Sequence, residues 1–193
     1  MSARVLVIDG HPDKDPARFC HALAQSYVAG AREAGHETRV ITLASCDFPL
    51  LRTAAEFEAP PQSPAILSAR DDLSWATHIV FIFPLWIGSA PALVRAFLEQ
   101  AGRGSFFART EGRGIEQHLK GRTARLIVTM GMPALAHTLF FGAHGLKSIA
   151  TSALGFAGIG PTRMSLFGAA GAQGAALAKS RLHRVRVLGE RAA

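Results

Sequence analysis

The sequence predicts a doubly wound α/β sandwich, in which a parallel β-sheet lies between two layers of helices. Short apolar runs of strand length recur along the chain, and loops lead from them into stretches with helical periodicity. Strands and helices that alternate with short connections favour a parallel sheet with right-handed crossovers. The chain has 193 residues, of which 49% are hydrophobic, so we expect a single domain over residues 1–193.

Five strands are predicted from apolar runs, most of them rich in β-branched and aromatic residues, a composition typical of strands that are covered on both faces. The fifth run is the weakest. In chain order the predicted strands are RVLVI (4–8), TRVITL (38–43), IVFIF (79–83), ARLIVT (124–129) and RMSL (163–166).

Helices are predicted between these strands, because apolar residues recur there at the spacing of one helical face. Gly35 is the expected C-terminal cap of the first helix, Ser63 can cap the second, and Pro91 fits the first turn of the third. The predicted helices cover residues 19–34, 64–75, 91–100, 144–153 and 172–188.

Two segments lack a clear pattern. Residues 44–64 contain four prolines and are interpreted as a long surface excursion over an edge of the sheet. Residues 102–121 are polar and rich in Gly, so we expect a mobile loop that is anchored by Phe106 and Phe107.

The composition narrows the class of protein. Lys and Arg number 21 against 14 Asp and Glu, a net charge of +7, but the basic residues are dispersed and no nucleic-acid-binding motif accompanies them. The sequence shows neither a leader peptide nor an apolar run of membrane-spanning length, so we expect a cytoplasmic protein without membrane insertion. Cys20 and Cys46 have no metal-ligand spacing, and we expect no metal.

The ligand of such a sheet binds in the crevice beyond the carboxyl ends of its strands. Three predicted loops meet there, over residues 10–19, 84–91 and 130–134. The first loop contains neither a dinucleotide-binding fingerprint nor a P-loop, but it ends at a helix N-terminus, which attracts phosphate. His11 and Arg18 add donors there, and the two prolines of the second loop stiffen its backbone for a flat ligand.

This arrangement is flavodoxin-like, with a five-stranded parallel sheet of order 2-1-3-4-5 and helices on both faces. The segments GHPDKDPARFCHALAQSY, FPLWIGSAPALVRAFLEQ, TMGMPA and GAHG resemble the NAD(P)H:quinone oxidoreductases of the DT-diaphorase type and their bacterial relatives. The resemblance extends from residue 4 to about residue 168, and FPLW…P is its most specific part.

The resemblance implies a flavin-dependent NAD(P)H:acceptor oxidoreductase that transfers hydride to quinones or similar electrophiles in a two-electron ping-pong reaction. It implies FAD, with FMN possible, and a homodimer with a shared active site. The residues predicted for cofactor binding are Arg18 and Pro84, from the pattern of their loops, and, from the resemblance, His11, Phe19, Cys20, Leu85, Trp86, Ile87, Gly88, Thr129, Met130, Gly131 and Met132. The resemblance implies His144 for catalysis and Phe106 and Phe107 for the substrate. His137, near the place of the family Tyr, is the second catalytic candidate, and Trp86 is predicted to stack on the substrate.

The sequence departs from the family pattern at several positions. The loop after the first strand is about two residues longer, Cys20 replaces an Asn, and Met132 replaces a Gly. The active-site Tyr of the family is missing, since its place falls at His137 or Thr138 and the only tyrosine is Tyr27 on the first helix.

Each candidate also has a structural interpretation. His11 is a possible turn residue and Trp86 a possible packing residue. Phe106 and Phe107 can pin a long loop or form a dimer interface, His137 and His144 can be hydrogen-bonded helix residues, and Cys20 is interpreted as structural.

Two other functions fit the fold. Relatives of this family are ancillary subunits of potassium-efflux transporters, so a regulatory flavoprotein with incidental reductase activity is the alternative. An electron carrier such as flavodoxin is disfavoured, because those carriers are strongly acidic and this chain is basic.

Overall fold

The computed structural model describes residues 2–112, 114–134, 142–171 and 174–193. Its main sheet has five parallel strands in the order β2-β1-β3-β6-β7, which confirms the predicted sandwich and its 2-1-3-4-5 order. The strands of this sheet are β1 (Arg4–Asp9), β2 (Glu37–Thr42), β3 (His78–Pro84), β6 (Thr123–Thr129) and β7 (Thr162–Phe167).

The helices cover both faces of the sheet. Their bounds are α1 (Phe19–Glu33), α2 (Ala54–Glu58), α3 (Pro64–Trp75), α4 (Ala92–Gly102), α5 (His144–Ser148) and α6 (Ala175–Glu190). A 3₁₀ turn follows β2 at Leu43–Ser45, and a π-helical turn continues α5 over Ile149–Leu154. None of the described helices is long and apolar enough to cross a lipid bilayer.

Alternation along the strands divides the apolar side chains between two cores. Val5 and Val7 of β1 face α1 and α6, where Tyr27 is buried. Leu6 and Ile8 face the opposite side, against α3, α4 and α5. Both faces of the central strands are therefore covered, which explains why the strands are continuously apolar in sequence.

Glycine allows the α1 and α6 helices to approach closely. A Cβ atom on Gly30 would lie 2.0 Å from the carbonyl oxygen of Arg186, and one on Gly189 would lie 2.1 Å from that of Tyr27. Side chains at these two positions would force the helices apart and open the core on that face of the sheet.

The two segments without a clear pattern contain regular structure that was not predicted. The strands β4 (Ala108–Glu111) and β5 (Gly114–Gln117) form an antiparallel pair, where a mobile irregular loop was predicted. The short helix α2 lies within the predicted surface excursion and is capped by Thr53, which accepts from the amide of Glu56. The β4 and β5 strands carry mostly polar side chains, and α2 is only five residues long, so neither leaves enough apolar periodicity to detect.

Candidate active site

The carboxyl ends of the central strands are joined by backbone hydrogen bonds that run across the sheet. Gly10 N donates to Ile82 O at 2.7 Å, Leu85 N donates to Thr129 O at 2.7 Å, and Met130 N donates to Phe167 O at 3.0 Å. The three predicted loops are thus brought together, as the parallel topology requires.

Gly10 allows the first loop to enter this cluster. A Cβ atom at Gly10 would lie 2.7 Å from Val94 Cγ2 of α4 and 3.2 Å from the carbonyl oxygen of Ile82. The chain therefore passes directly over the end of β3, and the His11 ring lies edge-on to Trp86 with ring centroids 6.3 Å apart.

Carboxylates organise the loop between β1 and α1. Asp13 accepts from the amide of Asp15, and Asp15 accepts from the amide of Ala17, each at 3.0 Å. Arg18 is paired with Asp13 at 2.8 Å and with Asp15 at 3.4 Å. The guanidinium of Arg18, which was predicted to bind the cofactor, is therefore paired with two carboxylates of its own loop.

The N-terminus of α1 is open to an anion. No described side chain caps its first turn, which also contains no acidic residue. The amide of His21 donates to the carbonyl of Arg18. The remaining first-turn amides and the positive end of the helix dipole favour a phosphate group at this position. Phe19, the first residue of α1, packs partly buried on the core beside β1.

The His11 ring is held neutral beside the loop backbone. Burial lowers its pKa, and the nearby His21 lowers it further, against the raising effect of the Asp13 backbone. Its Nδ1 atom lies 3.1 Å from the amide nitrogen and 3.3 Å from the carbonyl oxygen of Asp13, so the ring bonds to the Asp13 backbone in either neutral tautomer.

Cys20 is a structural residue at the base of this loop. Its side chain is buried, and its Sγ atom lies 3.3 Å from the Oγ1 atom of Thr129 at the end of β6. Burial raises the pKa of the thiol to about 12. The predicted contact of Cys20 with the cofactor is therefore restricted to its backbone, and the same burial limits Pro84, Thr129 and Met130.

Residues 86–89 form a tight turn after β3. Trp86 and Ser89 exchange two backbone hydrogen bonds, of 2.9 and 3.0 Å, and both central residues have positive φ, 46° at Ile87 and 74° at Gly88. This is a type I′ turn. Trp86 is 49% exposed and Ile87 is fully exposed, whereas Leu85 is partly buried.

The loop after β6 is held from below by the end of β7. Ala169 N donates to Met132 O and Ala170 N donates to Met130 O. Gly131 and Met132 are exposed, and a Cβ atom on Gly131 would meet no described atom within 4 Å. The open side of this loop and the turn at Trp86 lie next to each other, at the carboxyl ends of the neighbouring strands β6 and β3.

His144 lies at the start of α5, beside the turn. A Cβ atom on the adjacent Gly145 would lie 2.3 Å from the carbonyl oxygen of Gly88, so the two segments are in close contact. His144 itself is exposed. The other predicted catalytic residue, His137, lies outside the described residues, as does Thr138.

The predicted substrate residues Phe106 and Phe107 pack within the protein. Phe107 is buried, and a Cβ atom on Gly102 would lie 2.6 Å from its ring. Phe106 lies under the Arg70 guanidinium at 4.6 Å. Phe107 is thus buried and Phe106 partly buried, and both rings anchor the segment that leads into β4 and β5. Their contact with a substrate stays a prediction.

Two residues of the site were not singled out from the sequence. Asp9 at the end of β1 and His21 on α1 form a buried contact of 2.5 Å between Oδ2 and Nδ1. Two sequence features could have identified them: Asp9 is an ionisable residue directly after the predicted buried strand, and His21 lies beside Cys20 on the inner face of α1.

A cleft of about 440 Å³ adjoins the same loop on the side of β2. It lies between α1 and the exposed face of β2 and extends from the first loop toward Arg32. The cleft is lined by Asp9, Lys14, Pro16, His21, Ala24, Gln25, Val28, Arg32, Val40, Thr42 and Ser45.

Known proteins resemble this chain in sequence and in fold. It is 28% identical over 160 residues to a ribosyldihydronicotinamide dehydrogenase-like protein, traD, of Penicillium crustosum, a match over 66% of the chain and 57% of that relative's length. An NAD(P)H:quinone oxidoreductase from Methanothermobacter marburgensis superposes with a TM-score of 0.81 at 19% identity, over 98% of each chain. An FMN-dependent NADH-azoreductase from Bacillus anthracis, in complex with FMN, superposes with a TM-score of 0.77 at 14% identity, over 99% of each chain.

A family model described as the flavodoxin-like fold matches residues 3–187, which is nearly the whole chain. The strand order, the covered sheet and the cluster of loops at the carboxyl ends of its strands agree with this match. The chain belongs to the family of proteins with the flavodoxin-like fold.

Proposed function

We propose that this protein is a flavin-dependent NAD(P)H:acceptor oxidoreductase that reduces quinones or similar electrophiles. The observation that carries the proposal is the juxtaposition, at one strand end, of an open helix N-terminus and an exposed aromatic turn. The first suits a phosphate group and the second suits a flat ring. His11 links them through its edge contact with Trp86.

The residues present fit a flavin. The α1 N-terminus and the ring of His11 are suited to its phosphate and ribityl chain. Backbone amides of residues 87–88 and 131–132 lie on exposed loops at the end of the sheet, where they can donate to the ring. The exposed surface of Trp86 offers a stacking partner for the ring or for the substrate.

A bound flavin supplies the two-electron chemistry, in which hydride is taken from reduced nicotinamide and then passed to the acceptor. The protein holds both partners in one slot, so that the nicotinamide leaves before the acceptor enters and the kinetics are ping-pong. We assign His144 as the proton source, because it is exposed beside the turn. Tyr27 is excluded from this role, since it is buried between α1 and the sheet.

FMN is the proposed flavin, since the azoreductase of the same fold is named as FMN-dependent. One observation favours the alternative, FAD. The cleft beside Lys14 and Arg32 adjoins the phosphate position and combines an apolar wall with cationic groups, which would suit an adenosine monophosphate extension. The mass of the flavin released by denaturation distinguishes the two.

A homodimer with a shared active site is part of the proposal. The exposed apolar side chains of Trp86, Ile87 and Met132 lie on the site loops and would be covered by a second copy. Sedimentation should show a dimer, and Ile87→Asp should shift it toward monomer. A wild-type monomer at micromolar concentration would contradict this part.

The experiment that tests the function uses the purified protein. It should be yellow, reduced NAD(P) should bleach the visible flavin band without oxygen, and a simple benzoquinone should restore that band. Trp86→Ala should raise the KM for the quinone and leave the melting temperature nearly unchanged, because the ring is half exposed. A colourless protein that takes up neither FMN nor FAD would overturn the proposal.

A further inference from the structure

The Asp9–His21 pair lies beneath the loop to which the proposed function assigns phosphate. Asp9 is the last residue of β1 and is 4% exposed, and His21 is the third residue of α1 and is 8% exposed. The second carboxylate oxygen of Asp9 accepts from the amide of His11 at 3.2 Å. The pair therefore connects the end of the sheet, the loop and the first turn of α1.

Both ring nitrogens of His21 face acceptors. Nδ1 lies 2.5 Å from the Asp9 carboxylate, and Nε2 lies 2.9 Å from the carbonyl oxygen of Asp13. A carbonyl oxygen only accepts, so Nε2 carries hydrogen, and a second proton lies between Nδ1 and Asp9. The pair consequently holds one proton more than a neutral imidazole beside a carboxylate would, and it has no net charge.

The proton shared by Asp9 and His21 matters for the charge of the loop, because carboxylates outnumber cations there. Three carboxylates lie in or under the loop, those of Asp9, Asp13 and Asp15, whereas Lys14 and Arg18 are its only permanent cations. Arg18 is already paired with Asp13 and Asp15. The His11 ring, 5.4 Å from the ring of His21, is held neutral as described above.

We propose that His21 is a positioning residue that makes the loop selective for phosphate-bearing flavins, by neutralising Asp9 and fixing the Asp13 carbonyl. Without it, an unpaired carboxylate would lie buried below the phosphate position. The inference rests on the proposed function and adds to it a residue and a source of specificity. The raised pKa of His21 agrees with it, since the hydrogen bonds to Asp9 and Asp13 outweigh the lowering effect of burial.

The test compares two ligands that differ only in the phosphate group, FMN and riboflavin. Apoprotein of the wild type, of His21→Gln and of the control His183→Gln, an exposed position on α6, is titrated with each ligand. His21→Gln should weaken FMN on the order of tenfold, the effect of one uncompensated charge a few ångströms away, and riboflavin less than about threefold. The control should change neither affinity.

A double variant separates charge from packing. Asp9→Asn combined with His21→Gln removes the carboxylate together with the imidazole, so the FMN affinity should recover most of what His21→Gln lost. Equal weakening of both flavins by His21→Gln, or no recovery in the double variant, would overturn the inference. Nitrogen-15 shifts of the wild-type His21 ring give a readout without mutation, and a ring with one unprotonated nitrogen at neutral pH would also overturn it.

Wild-type protein that binds riboflavin and FMN equally would overturn the inference and leave the oxidoreductase proposal standing. Wild-type protein that binds neither flavin would overturn both.

Discussion

Two buried histidines lie at opposite ends of the same sheet and differ in their partners. His21, 8% exposed, is at the carboxyl end beside Asp9, whereas His78, 3% exposed, begins β3 at the amino end. The Nδ1 atom of His78 lies 2.7 Å from the hydroxyl of Thr123, and its Nε2 atom has no partner among the described residues. Its ring stacks on Tyr27 at 6.4 Å.

The pKa values of the two rings move in opposite directions for this reason. Burial, together with Arg125 and Arg163, lowers the pKa of His78 to about 4. For His21 the carboxylate of Asp9 and the Asp13 carbonyl outweigh burial and raise the pKa. Burial alone therefore does not determine the charge of a histidine. At the carboxyl end of the sheet the Asp9 carboxylate stabilises the protonated His21 ring, and at the amino end burial disfavours protonation of His78.

The largest expected effect is on stability at low pH, and it concerns His78 at the amino end of the sheet. Between about pH 6.5 and pH 4 the unfolded chain binds a proton at residue 78 that the folded protein does not, so stability falls as the pH falls through this window. The loss at pH 4 should be about 3 kcal/mol, at 1.36 kcal/mol for each unit of pKa shift. Urea unfolding of the wild type and of His78→Gln across this range measures it.

His78→Gln should show a flatter dependence on pH, whereas His183→Gln, at an exposed position, should follow the wild type. Parallel curves for His78→Gln and the wild type would show that this ring is not excluded from protonation, and the contrast between the two ends would then fail.

The second prediction concerns packing at the carboxyl end. Gly145→Ala places a Cβ atom 2.3 Å from the carbonyl oxygen of Gly88 and 2.9 Å from the Cβ of Ser89. Helix propensity alone would stabilise the variant by roughly 1 kcal/mol, but the clash with backbone should reverse the sign and destabilise it by about 1–3 kcal/mol. Flavin affinity should fall as well, because the turn is displaced.

Gly171→Ala is the matched control, since a Cβ atom there meets no described atom within 4 Å. Thermal unfolding and flavin titration of both variants give the measurement. A Gly145→Ala variant as stable as the wild type would mean that α5 does not pack on the turn.

The third prediction is the counterpart of the first. Because its folded pKa is raised, His21 contributes stability that is fully present below about pH 6.5 and is lost as the pH rises through the folded value. His21→Gln should therefore lose most stability at pH 5.5 to 6.5 and approach the wild type in alkaline solution. Denaturant midpoints at several pH values test this, and a difference that grows with pH would contradict it.

The amino-acid pattern accounts for the sheet and for the meeting of the loops, but not for these local pairings. The strands were predictable because IVFIF and ARLIVT are apolar on both faces, and parallel topology then brings their carboxyl ends together. The contact of Asp9 with His21 depends on the course of the loop between them, which no periodicity encodes. The antiparallel pair of β4 and β5 was missed because few of its side chains are apolar.

The conformation of the turn after β3 also escaped prediction, because a β-branched residue with positive φ is rare. The smallest expected effect tests this conformation. Ile87→Asn should stabilise the isolated chain by about 1 kcal/mol, since Asn tolerates positive φ and Asn-Gly is preferred in a type I′ turn. Gly88→Ala should destabilise it by a similar amount, because φ is 74° there, although no described atom lies within 4 Å of the new Cβ.

Unfolding of both variants at low protein concentration, alongside quinone reduction, measures the two effects separately. A more stable Ile87→Asn variant with weaker activity would show that the strained, fully exposed isoleucine is kept for a contact with ligand or with a second copy. A less stable Ile87→Asn variant would mean that Ile87 is already buried against a partner in solution. The carboxyl end would then be stabilised by association and not by the charge pairs of a single chain.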